Sequence, residues 1–261
     1  MLGWDFKWLG DRISVVPLPW SFERIVSRHA RRSPDLLDMD TGGGEWLAAL
    51  ADRPRRTVAT ESWPPNVRVA GERPRPRGVV LVWSEDAPDN IDQLKDEHRG
   101  RLPFATGSFS LISNRHPSFL ATEIERVLAL GGTFLTQQVG GDYDDFYRAL
   151  ELVPPGGRGR FWNLRRATTQ IEVAGLRVTD SGEGAEVTSF ADAGALAWYL
   201  KAIPWAVEGF SIRTHRPGLE RIQARILAEG PIALAQPAFW LKAVKSPDLS
   251  RRRSSPTDPP R

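Results

Sequence analysis

The chain has 261 residues, of which 41% are hydrophobic and 26% are charged, and it contains no cysteine. Missing thiols exclude disulfides, iron–sulfur clusters, thiolate zinc sites and cysteine nucleophiles. The formal net charge is +3, but residues 246–261 hold four Arg and two Asp, which leaves +1 for the rest of the chain. A nearly neutral body lacks the basic excess of a typical nucleic-acid-binding protein, so we do not expect a nucleic-acid partner.

The two ends of the chain indicate a cytoplasmic protein without a membrane partner. The first residues, MLGWDFKWLGDR, carry charges every few positions and lack the apolar segment of a signal peptide. No window approaches the roughly 18 uncharged apolar residues of a membrane-spanning helix. We expect residues 1–33 to form a lead-in that can act as a lid, and the Pro-, Ser- and Arg-rich residues 246–261 to form a disordered basic tail.

Strands and helices alternate through the first half of the chain. A helix is predicted at 21–31, with Ser21 as its N-cap. The elements that follow are a strand at 36–39, a glycine-rich loop at 40–45, a helix in EWLAAL, a strand at 57–61, a helix begun by Pro64 and Pro65, strands at 78–84 and 108–113, a helix at 118–130 and a strand at 133–139. The strand at 78–84 is continuously apolar, which predicts burial on both faces.

The second half of the chain is more helical. Helices are predicted at 161–174, 191–203 and 217–229, and strands at 176–180 and 239–245. Alternating strands and helices indicate right-handed crossovers, and therefore an α/β fold with a mostly parallel, seven-stranded sheet and helices on both faces. We expect one domain at 34–245, with an inserted helical cap at about 189–229 that is rich in aromatic residues.

The glycine-rich loop follows the first buried strand, in the sequence Asp38-Met39-Asp40-Thr41-Gly42-Gly43-Gly44-Glu45. Ligands of α/β sheets bind beyond the carboxyl ends of the strands, and glycines let the backbone approach them. A dinucleotide motif would need a third glycine where Leu47 stands, and a phosphate loop would need Lys where Glu45 stands. The loop therefore suits a ligand without phosphates; a purely structural turn is the alternative.

An acidic residue ends the next strand, because Glu61 lies 17 positions after Gly44. A carboxylate at this place can accept both hydroxyls of a ribose. A nucleoside ligand without phosphates suggests S-adenosylmethionine (SAM), whose cationic sulfonium tolerates acidic neighbours. The sequence thus predicts SAM as the cofactor.

Four segments in order resemble motifs of the class I SAM-dependent methyltransferases, in particular the bacterial type 11-like members. They are LLDMDTGGGEWLAAL, TVATESWPPNVRVA, LPFATGSFSLISNRH and EIERVLALGGTFLTQQVG, and they cover about residues 35–140. The resemblance implies the Rossmann-like fold of that family and SAM-dependent methyl transfer. Three positions depart from the family pattern: Asp40 replaces a glycine, Ser110 an aspartate and Leu130 a proline.

By this resemblance, the cofactor would lie along the ends of the first four strands. The methionine end would contact the glycine-rich loop, the ribose would contact Glu61, and the adenine would lie between the segment after the third strand and the Leu-Pro-Phe segment. The implied cofactor-binding residues are Asp38, Asp40, Thr41, Gly42, Gly43, Gly44, Glu61, Ser62, Ser84, Glu85, Leu102, Phe104 and Asn114.

The methyl acceptor is expected after the fourth strand, at Ser113-Asn114-Arg115-His116. This segment is not the Asn-Pro-Pro-Tyr pattern that amino-nitrogen methylation would require by resemblance. His116 is the predicted general base or acceptor ligand, and an orienting or capping role is its alternative. Arg115 could bind a carboxylate or phosphate of the acceptor, or could pair with Glu123 or Glu125.

Further acceptor contacts are predicted at the end of the fifth strand and in the helical cap. They are Gln137 or Gln138, of which only one can face the site, and Trp198, Tyr199 and Trp205. For the glutamines, hydrogen bonding within the fold is the alternative; for the aromatic residues, packing onto the sheet is. The histidines lack metal-ligand spacing, so no metal site is expected.

Three functions are compatible with these patterns. The first is methylation of a small molecule bound under the aromatic cap. The second is methylation of RNA, with phosphates bound by Arg53, Arg55, Arg56, Arg73, Arg75, Arg77 and Arg251–Arg253. The third is a non-catalytic protein that retains the SAM fold, as the departure at Asp40 could indicate. The nearly neutral body of the chain favours a small-molecule acceptor over RNA.

Overall fold

A computed structural model describes residues 7–50, 52–72, 78–88, 90, 99–141, 143–154 and 162–246. The strands are β1 (Ile13–Val16), β2 (Asp35–Met39), β3 (Arg56–Glu61), β4 (Val79–Trp83), β5 (Phe109–Arg115), β6 (Leu128–Val139), β7 (Arg177–Phe190) and β8 (Ile232–Val244). The helices are α1 (Phe22–Ala30), α2 (Glu45–Ala49), α3 (Pro64–Glu72), α4 (Ala121–Val127), α5 (Asp144–Ala149), α6 (Leu164–Val173), α7 (Ala193–Ala202) and α8 (Ile212–Glu229), after a 3-10 turn at Lys7–Arg12. The predicted tail, Ser246 apart, lies outside the described residues.

The strands form one sheet in the order β1-β7-β8-β6-β5-β2-β3-β4. The five strands from β6 to β4 in this order are mutually parallel, and β1 is antiparallel to β7. The prediction of a mostly parallel α/β sheet is confirmed. Within the described residues the sheet has eight strands rather than the seven predicted, because the predicted lead-in contributes β1 at one edge.

The apolar strand β4 does not have the predicted burial on both faces. It is the last strand of the sheet, paired only with β3 among the described residues. Val80 is 58% exposed and Trp83 is 61% exposed. An apolar run is compatible with an edge strand as well as with a central one, so the sequence pattern alone could not distinguish the two positions.

The helix predicted at 118–130 ends earlier, at Val127. Leu128 has extended backbone angles, and the chain continues directly as β6. Gly131 and Gly132 therefore lie inside the strand and do not separate a helix from a strand. Gly131, with φ 76°, donates its N–H to Lys245 O at 2.8 Å, and Lys245 N–H donates to Gly132 O at 3.1 Å. Pairing with a distant segment thus overrides the local helix-ending signal of the glycines.

Strand lengths and one helix boundary in the second half also differ from expectation. β7 extends to Phe190 and β8 begins at Ile232, so both strands are much longer than predicted. The last helix begins at Ile212 and not at Pro217, because the Ser211 hydroxyl caps it by accepting the Thr214 N–H at 3.1 Å. The short helix α5 was not predicted.

The described residues group into two compact units. One lies within Met1–Trp20, Val139–Asn163 and Glu183–Phe239; the other lies within Ser21–Gln138, Leu164–Gly182 and Trp240–Arg261. We call them the aromatic unit and the parallel-sheet unit. The boundaries predicted for the lead-in, the domain and the cap remain predictions, although α7 and α8 do lie in the range expected for the cap.

The aromatic unit has a core of stacked rings around α7. Tyr199 stacks on Phe146 with ring centroids 6.0 Å apart and meets Phe190 edge-on at 5.2 Å. Asp192 caps α7 by accepting the Ala195 N–H at 2.9 Å, and its carboxylate also pairs with Arg12. These contacts account for much of the aromatic content of the second half as core packing.

The parallel-sheet unit has a core of aliphatic and phenylalanine side chains beneath α1 and α4. Leu36, Leu37, Leu111, Ile112 and Phe134 of the central strands are fully buried. The predicted N-cap of α1 is confirmed, since Ser21 Oγ accepts the Arg24 N–H at 3.2 Å. This rigid centre holds the carboxyl ends of β2, β3, β4 and β5 at one edge of the sheet.

Candidate functional site

The parallel strands bring the predicted cofactor residues to a common edge. Asp38 lies opposite Ser113 and Met39 lies opposite Asn114 in the pairing of β2 with β5. Glu61 is the last residue of β3 and lies opposite Trp83 of β4. Because parallel strands end at the same side of a sheet, the polar residues that follow them are neighbours despite their distance in sequence.

The glycine-rich loop turns sharply after β2 with three residues in the left-handed region. Asp40 has φ 48°, Gly42 has φ 64° and Gly44 has φ 74°. The loop is anchored by the Thr41 N–H, which donates to Thr60 O at 2.9 Å. Gly44 is the N-cap of α2, and only glycine adopts its angles without strain. The loop therefore has the tight geometry that the sequence predicts.

Asp40, which replaces a glycine of the methyltransferase motif that the sequence resembles, connects the loop to the end of β3. Its N–H donates to Thr60 Oγ1 at 3.1 Å, and its Oδ1 accepts the Ser62 N–H at 3.1 Å. Aspartate tolerates left-handed angles better than most residues. Burial, followed by the charges of Asp86 and Glu61, raises the pKa of Asp40 to about 7. The departure is thus accommodated by local hydrogen bonds, and it adds a carboxylate to this edge.

Asp38 is a second carboxylate at the edge and is only 3% exposed. Its Oδ1 accepts a hydrogen bond from Ser113 Oγ at 2.6 Å. Burial raises the pKa of Asp38 to about 6, because the hydroxyls of Ser113 and Thr41 and the charge of Arg115 compensate only part of the lost hydration.

Glu61 is the third carboxylate, and it is 2% exposed. Its Oε1 accepts the Trp63 N–H at 2.9 Å, whereas Oε2 has no hydrogen-bond partner among the described residues. Burial also raises the pKa of Glu61. Three carboxylates with raised pKa values at one edge favour a ligand that carries positive charge.

Each of the four neighbouring strands β4, β3, β2 and β5 has, within two residues of its carboxyl end, one buried polar atom that lacks a partner among the described residues. These atoms are Ser84 Oγ, Glu61 Oε2, Thr41 Oγ1 and Asn114 Nδ2. A buried polar group without a hydrogen bond costs roughly 1–3 kcal/mol. Native proteins contain few such groups, so their concentration at one edge indicates a site for a polar ligand.

The segment expected to flank the adenine is held by an ion pair on α4. Arg126 donates to Leu102 O at 2.9 Å, to Phe104 O at 2.7 Å and to Glu123 Oε2 at 2.7 Å. Glu123 in turn accepts the Leu102 N–H at 2.9 Å. The Phe104 ring packs edge-on against Phe109 with centroids 5.0 Å apart. We call Glu123 and Arg126 the α4 clasp.

Arg115 is the last residue of β5 and His116 follows it, in the segment predicted for the acceptor side, and both residues have exposed surface. Glu123 pairs with Arg126 and Glu125 pairs with Lys245, so neither of the alternative partners holds Arg115. His116 has φ 79°, and its N–H donates to Gln137 O at 2.8 Å. Although part of the residue is exposed, neighbouring atoms desolvate the imidazole ring, and this desolvation, followed by the charge of Arg115, lowers the pKa of His116 to about 4. The imidazole is therefore neutral at pH 7.

The two glutamines that end β6 are both buried but have different neighbours. Gln137 Nε2 lies 3.4 Å from His116 Nε2. Gln138 Nε2 lies 2.7 Å from Asn114 Oδ1 and 3.2 Å from Pro117 O. Gln138 thus uses its amide within the fold, while Gln137 is the glutamine next to the predicted base. Their roles as acceptor contacts remain predictions.

The other predicted acceptor residues belong to the aromatic unit. Tyr199 is buried in its core, and burial raises the pKa of its hydroxyl to about 12. Trp198 is 36% exposed and meets Trp8 with centroids 4.3 Å apart. Trp205 is 56% exposed and donates its indole N–H to the Tyr143 hydroxyl at 3.0 Å. Trp198 and Trp205 retain surface for an apolar ligand; Tyr199 has the core position that was its alternative.

Comparisons with known proteins give a clear answer at the level of the fold. No protein-family model and no curated protein matches the chain. Among solved structures, YcgJ from Bacillus subtilis is 16% identical with a TM-score of 0.58 over 86% of this chain and 98% of its own. A candidate methyltransferase from Bacillus halodurans is 15% identical with a TM-score of 0.57, with the same coverage of both chains. A functionally unknown protein from Deinococcus radiodurans is 12% identical with a TM-score of 0.58 over 89% of this chain and 91% of its own.

The chain has the class I methyltransferase fold. In this methyltransferase fold, the edge that holds the three carboxylates is the one at which α/β sheets bind their ligands. Within the described ranges, no His, Asp and Glu residues form a group suited to a metal ion. None of the described helices combines the length and apolarity needed to cross a membrane.

Two hydrogen bonds that shape this edge were not predicted from the sequence. Ser113, named there only as part of the acceptor segment, donates to Asp38, and Thr60, a polar residue within a strand with no distinctive pattern, accepts from Asp40. The α4 clasp has a readable signal, because Glu123 and Arg126 are three positions apart on a helix. That spacing predicts the ion pair but does not predict its hydrogen bonds to the backbone of residues 102–104.

Proposed function

We propose that the protein binds SAM at the carboxyl edge of β2–β5 and transfers the methyl group to a small-molecule acceptor. The observation that carries this proposal is the set of four buried polar atoms without a partner among the described residues, one near the carboxyl end of each of four adjacent strands. SAM consists of a nucleoside joined to an amino acid, so it carries hydrogen-bonding groups along its whole length. These groups can pair with the four polar atoms along the edge. The methyltransferase fold supports the same ligand.

The residues at this edge fit the different parts of SAM. Glu61 has one unpaired carboxylate oxygen, which a ribose hydroxyl can satisfy. Asp38 and Asp40 have pKa values raised to about 6 and about 7, and a nearby cation would favour their ionised forms. SAM supplies a sulfonium-activated methyl group. The α4 clasp would hold the adenine-side segment in place.

The residues around His116 support an acceptor position next to the cofactor. His116 is neutral at pH 7, and its Nε2 lies 3.4 Å from the side-chain amide of Gln137. A neutral imidazole can accept a proton from a hydroxyl or amine acceptor, although a pKa of about 4 makes it a weak base. The positively charged Arg115 is available to orient an anionic acceptor.

Cofactor binding is tested by isothermal titration with SAM and with S-adenosylhomocysteine (SAH). Glu61→Gln keeps the oxygen that accepts the Trp63 N–H but replaces the unpaired oxygen by a donor. We expect micromolar binding to the wild type and at least a tenfold weaker affinity for Glu61→Gln, which corresponds to about 1.4 kcal/mol. Glu229→Gln, an exposed change in α8, is the control. Absence of binding at millimolar ligand would contradict the proposal.

Methyl transfer itself is tested by the release of SAH from SAM in the presence of pooled small-molecule acceptors. A separate reaction contains RNA as the only acceptor. We expect small molecules to stimulate release and RNA to have no effect. RNA-dependent release that falls steeply with salt would replace the small-molecule proposal by RNA methylation.

A further inference from the structure

Four buried polar side chains of the parallel-sheet unit form a continuous hydrogen-bonded chain. They are Asn90, which precedes β5 in sequence, Asn114 of β5, and Thr136 and Gln138 of β6. None of them is more than 6% exposed. A buried polar chain of this kind has a defined direction, because each amide must present its oxygen to donors and its nitrogen to acceptors. The direction can be read from the backbone groups that the chain contacts.

The Asn90 end is oriented by a backbone donor. The Phe119 N–H donates to Asn90 Oδ1 at 3.0 Å. A backbone N–H can only donate, so the atom that it contacts must be the amide oxygen of Asn90. The amide nitrogen of Asn90 is then the atom that donates to Gln138 Oε1 at 3.3 Å.

A backbone acceptor independently fixes the same orientation of the Gln138 amide. Its Nε2 lies 3.2 Å from Pro117 O, which can only accept. The nitrogen of Gln138 is therefore the atom that lies 2.7 Å from the Asn114 amide, and it meets the oxygen of that amide. The Thr136 hydroxyl donates to the same oxygen at 2.8 Å.

These contacts fix the orientation of the Asn114 amide and leave its nitrogen, a hydrogen-bond donor, without a partner among the described residues. Its Oδ1 receives two hydrogen bonds, and its Nδ2 is buried without a hydrogen bond among the described residues. In the pairing of β5 with β2, Asn114 lies opposite Met39, which is the residue directly before the glycine-rich loop. A reversed amide would place its nitrogen against the nitrogen of Gln138, so the network holds the donor in this orientation.

We infer that Asn114 donates its amide N–H to the ligand at this edge, which must present a hydrogen-bond acceptor there, such as a carboxylate or carbonyl oxygen. An amino group of the ligand at this position would place its own N–H donors against the N–H donor of Asn114. The inference rests on the proposed function and specifies the chemistry of the group that binds at β5. This oxygen can belong either to the carboxylate of the cofactor or to the methyl acceptor.

The first experiment tests the cofactor as the source of the oxygen. Asn114→Asp keeps an oxygen for Thr136 and Gln138 but replaces the donor by a second acceptor. SAH and 5′-methylthioadenosine, which has no amino-acid portion, are titrated into the wild type and the variant. If the oxygen is the cofactor carboxylate, the variant binds SAH at least tenfold more weakly and 5′-methylthioadenosine equally well. Thr169→Asp, which adds the same charge at an exposed position of α6, should leave both affinities unchanged.

The second experiment tests the methyl acceptor as the source. Benzoate, benzamide and benzylamine serve as probes of the SAH-saturated protein in ligand-observed NMR. If the oxygen belongs to the acceptor, the wild type binds benzoate and benzamide in preference to benzylamine, and Asn114→Asp reverses this order. An unchanged SAH affinity in the first experiment, together with an unchanged order of probes in the second, would overturn the inference.

A measurement on the wild type keeps the inference testable if Asn114→Asp does not fold. The side-chain NH₂ signals of Asn114 should shift on addition of SAH, or of benzoate to the SAH complex, whereas those of Asn90 should stay in place. No shift under either condition contradicts the inference. If SAH fails to bind the wild type at all, the proposed function fails; if SAH binds but Asn114 does not respond, only the inference fails.

Discussion

The hydroxyl of Ser113 donates a 2.6 Å hydrogen bond to the buried carboxylate of Asp38, although the two residues are 75 positions apart in the chain. The contact exists because β5 is paired with β2, which places the two residues opposite each other. Hydroxyl donors do not fully replace the hydration of a carboxylate, and the pKa of Asp38 remains raised, at about 6. The folded protein therefore retains the proton on Asp38 to a higher pH than the unfolded chain does.

Asp38→Asn should stabilise the protein at neutral and alkaline pH. Because the pKa of Asp38 is about 6 in the folded protein and close to the ordinary aspartate value of 3.8 in the unfolded chain, the wild type loses unfolding free energy as pH rises through this interval and does not regain it above. The asparagine keeps an oxygen for Ser113 and has no charge to bury. We expect a gain of up to roughly 3 kcal/mol at pH 8 and almost none at pH 3.5, measured by urea unfolding. Equal stabilisation at both pH values would contradict this origin.

Affinity for SAM should increase with pH between 5.5 and 8. Ionisation of Asp38 and Asp40, whose pKa values are about 6 and about 7, creates negative charge beside the sulfonium. SAH has a neutral sulfur and should show a smaller increase. Over this range, we expect the affinity for SAM to rise about tenfold more than the affinity for SAH, a difference of about 1.4 kcal/mol. Both affinities are measured by calorimetry at constant ionic strength. The double variant Asp38→Asn/Asp40→Asn should bind both ligands with nearly flat pH profiles.

Asp40→Gly separates backbone strain from ligand binding. Glycine removes the strain of left-handed backbone angles, which costs about 1 kcal/mol for other residues, and the substitution also removes a buried carboxylate. The variant should therefore be more stable than the wild type at pH 8. It also removes the oxygen that holds the Ser62 N–H. We expect weaker binding of SAM to Asp40→Gly and to Asp40→Asn alike, as measured by titration. Tighter binding to the glycine variant would indicate a loop that has drifted away from the cofactor.

The α4 clasp should affect both stability and recognition of adenosine. Arg126→Met removes the guanidinium that donates to Glu123 and to the carbonyls of Leu102 and Phe104. Because the pair is only partly buried, we expect a loss of about 2 kcal/mol in unfolding free energy, faster hydrogen exchange at 102–104 and weaker binding of adenosine.

Two further variants control for the clasp prediction. Arg126→Lys should retain part of each effect. Arg148→Met, which breaks an exposed pair with Asp145 at the same helical spacing, should cost less than about 0.5 kcal/mol. Equal effects of Arg126→Met and Arg148→Met would show that the clasp has no special role.

Asp192 should stabilise the aromatic unit mainly as a helix cap. It accepts the Ala195 N–H at the start of α7 and pairs with Arg12, and both contacts lower its pKa. Asp192→Ala removes the cap and should cost about 1 kcal/mol, whereas Asp192→Asn keeps an acceptor and should cost much less. Thermal unfolding of both variants at low and high salt measures the two contributions. A loss that is the same for both substitutions would instead assign the effect to the ion pair.

Local features of the fold were readable from the chain. The N-cap at Ser21, the helix begun by Pro64, the glycine-rich turn and the alternation of strands with helices all depend on neighbouring residues, and the structure confirms them. The carboxylates of the edge could also be identified, because an acid at the end of a strand is visible in sequence. Their roles in binding remain predictions.

The tertiary structure alone decided which features became neighbours. β4 has the composition of a central strand yet forms an edge, and Gly131 and Gly132 continue a strand because β8 pairs with them. The orientation of the Asn114 amide depends on Gln138, which another strand supplies. By itself, the sequence determined where the chain turns, which segments are apolar and which polar groups follow each strand. Strand order, burial and amide orientation arise from pairing between distant segments, whose free energies no local pattern of residues encodes.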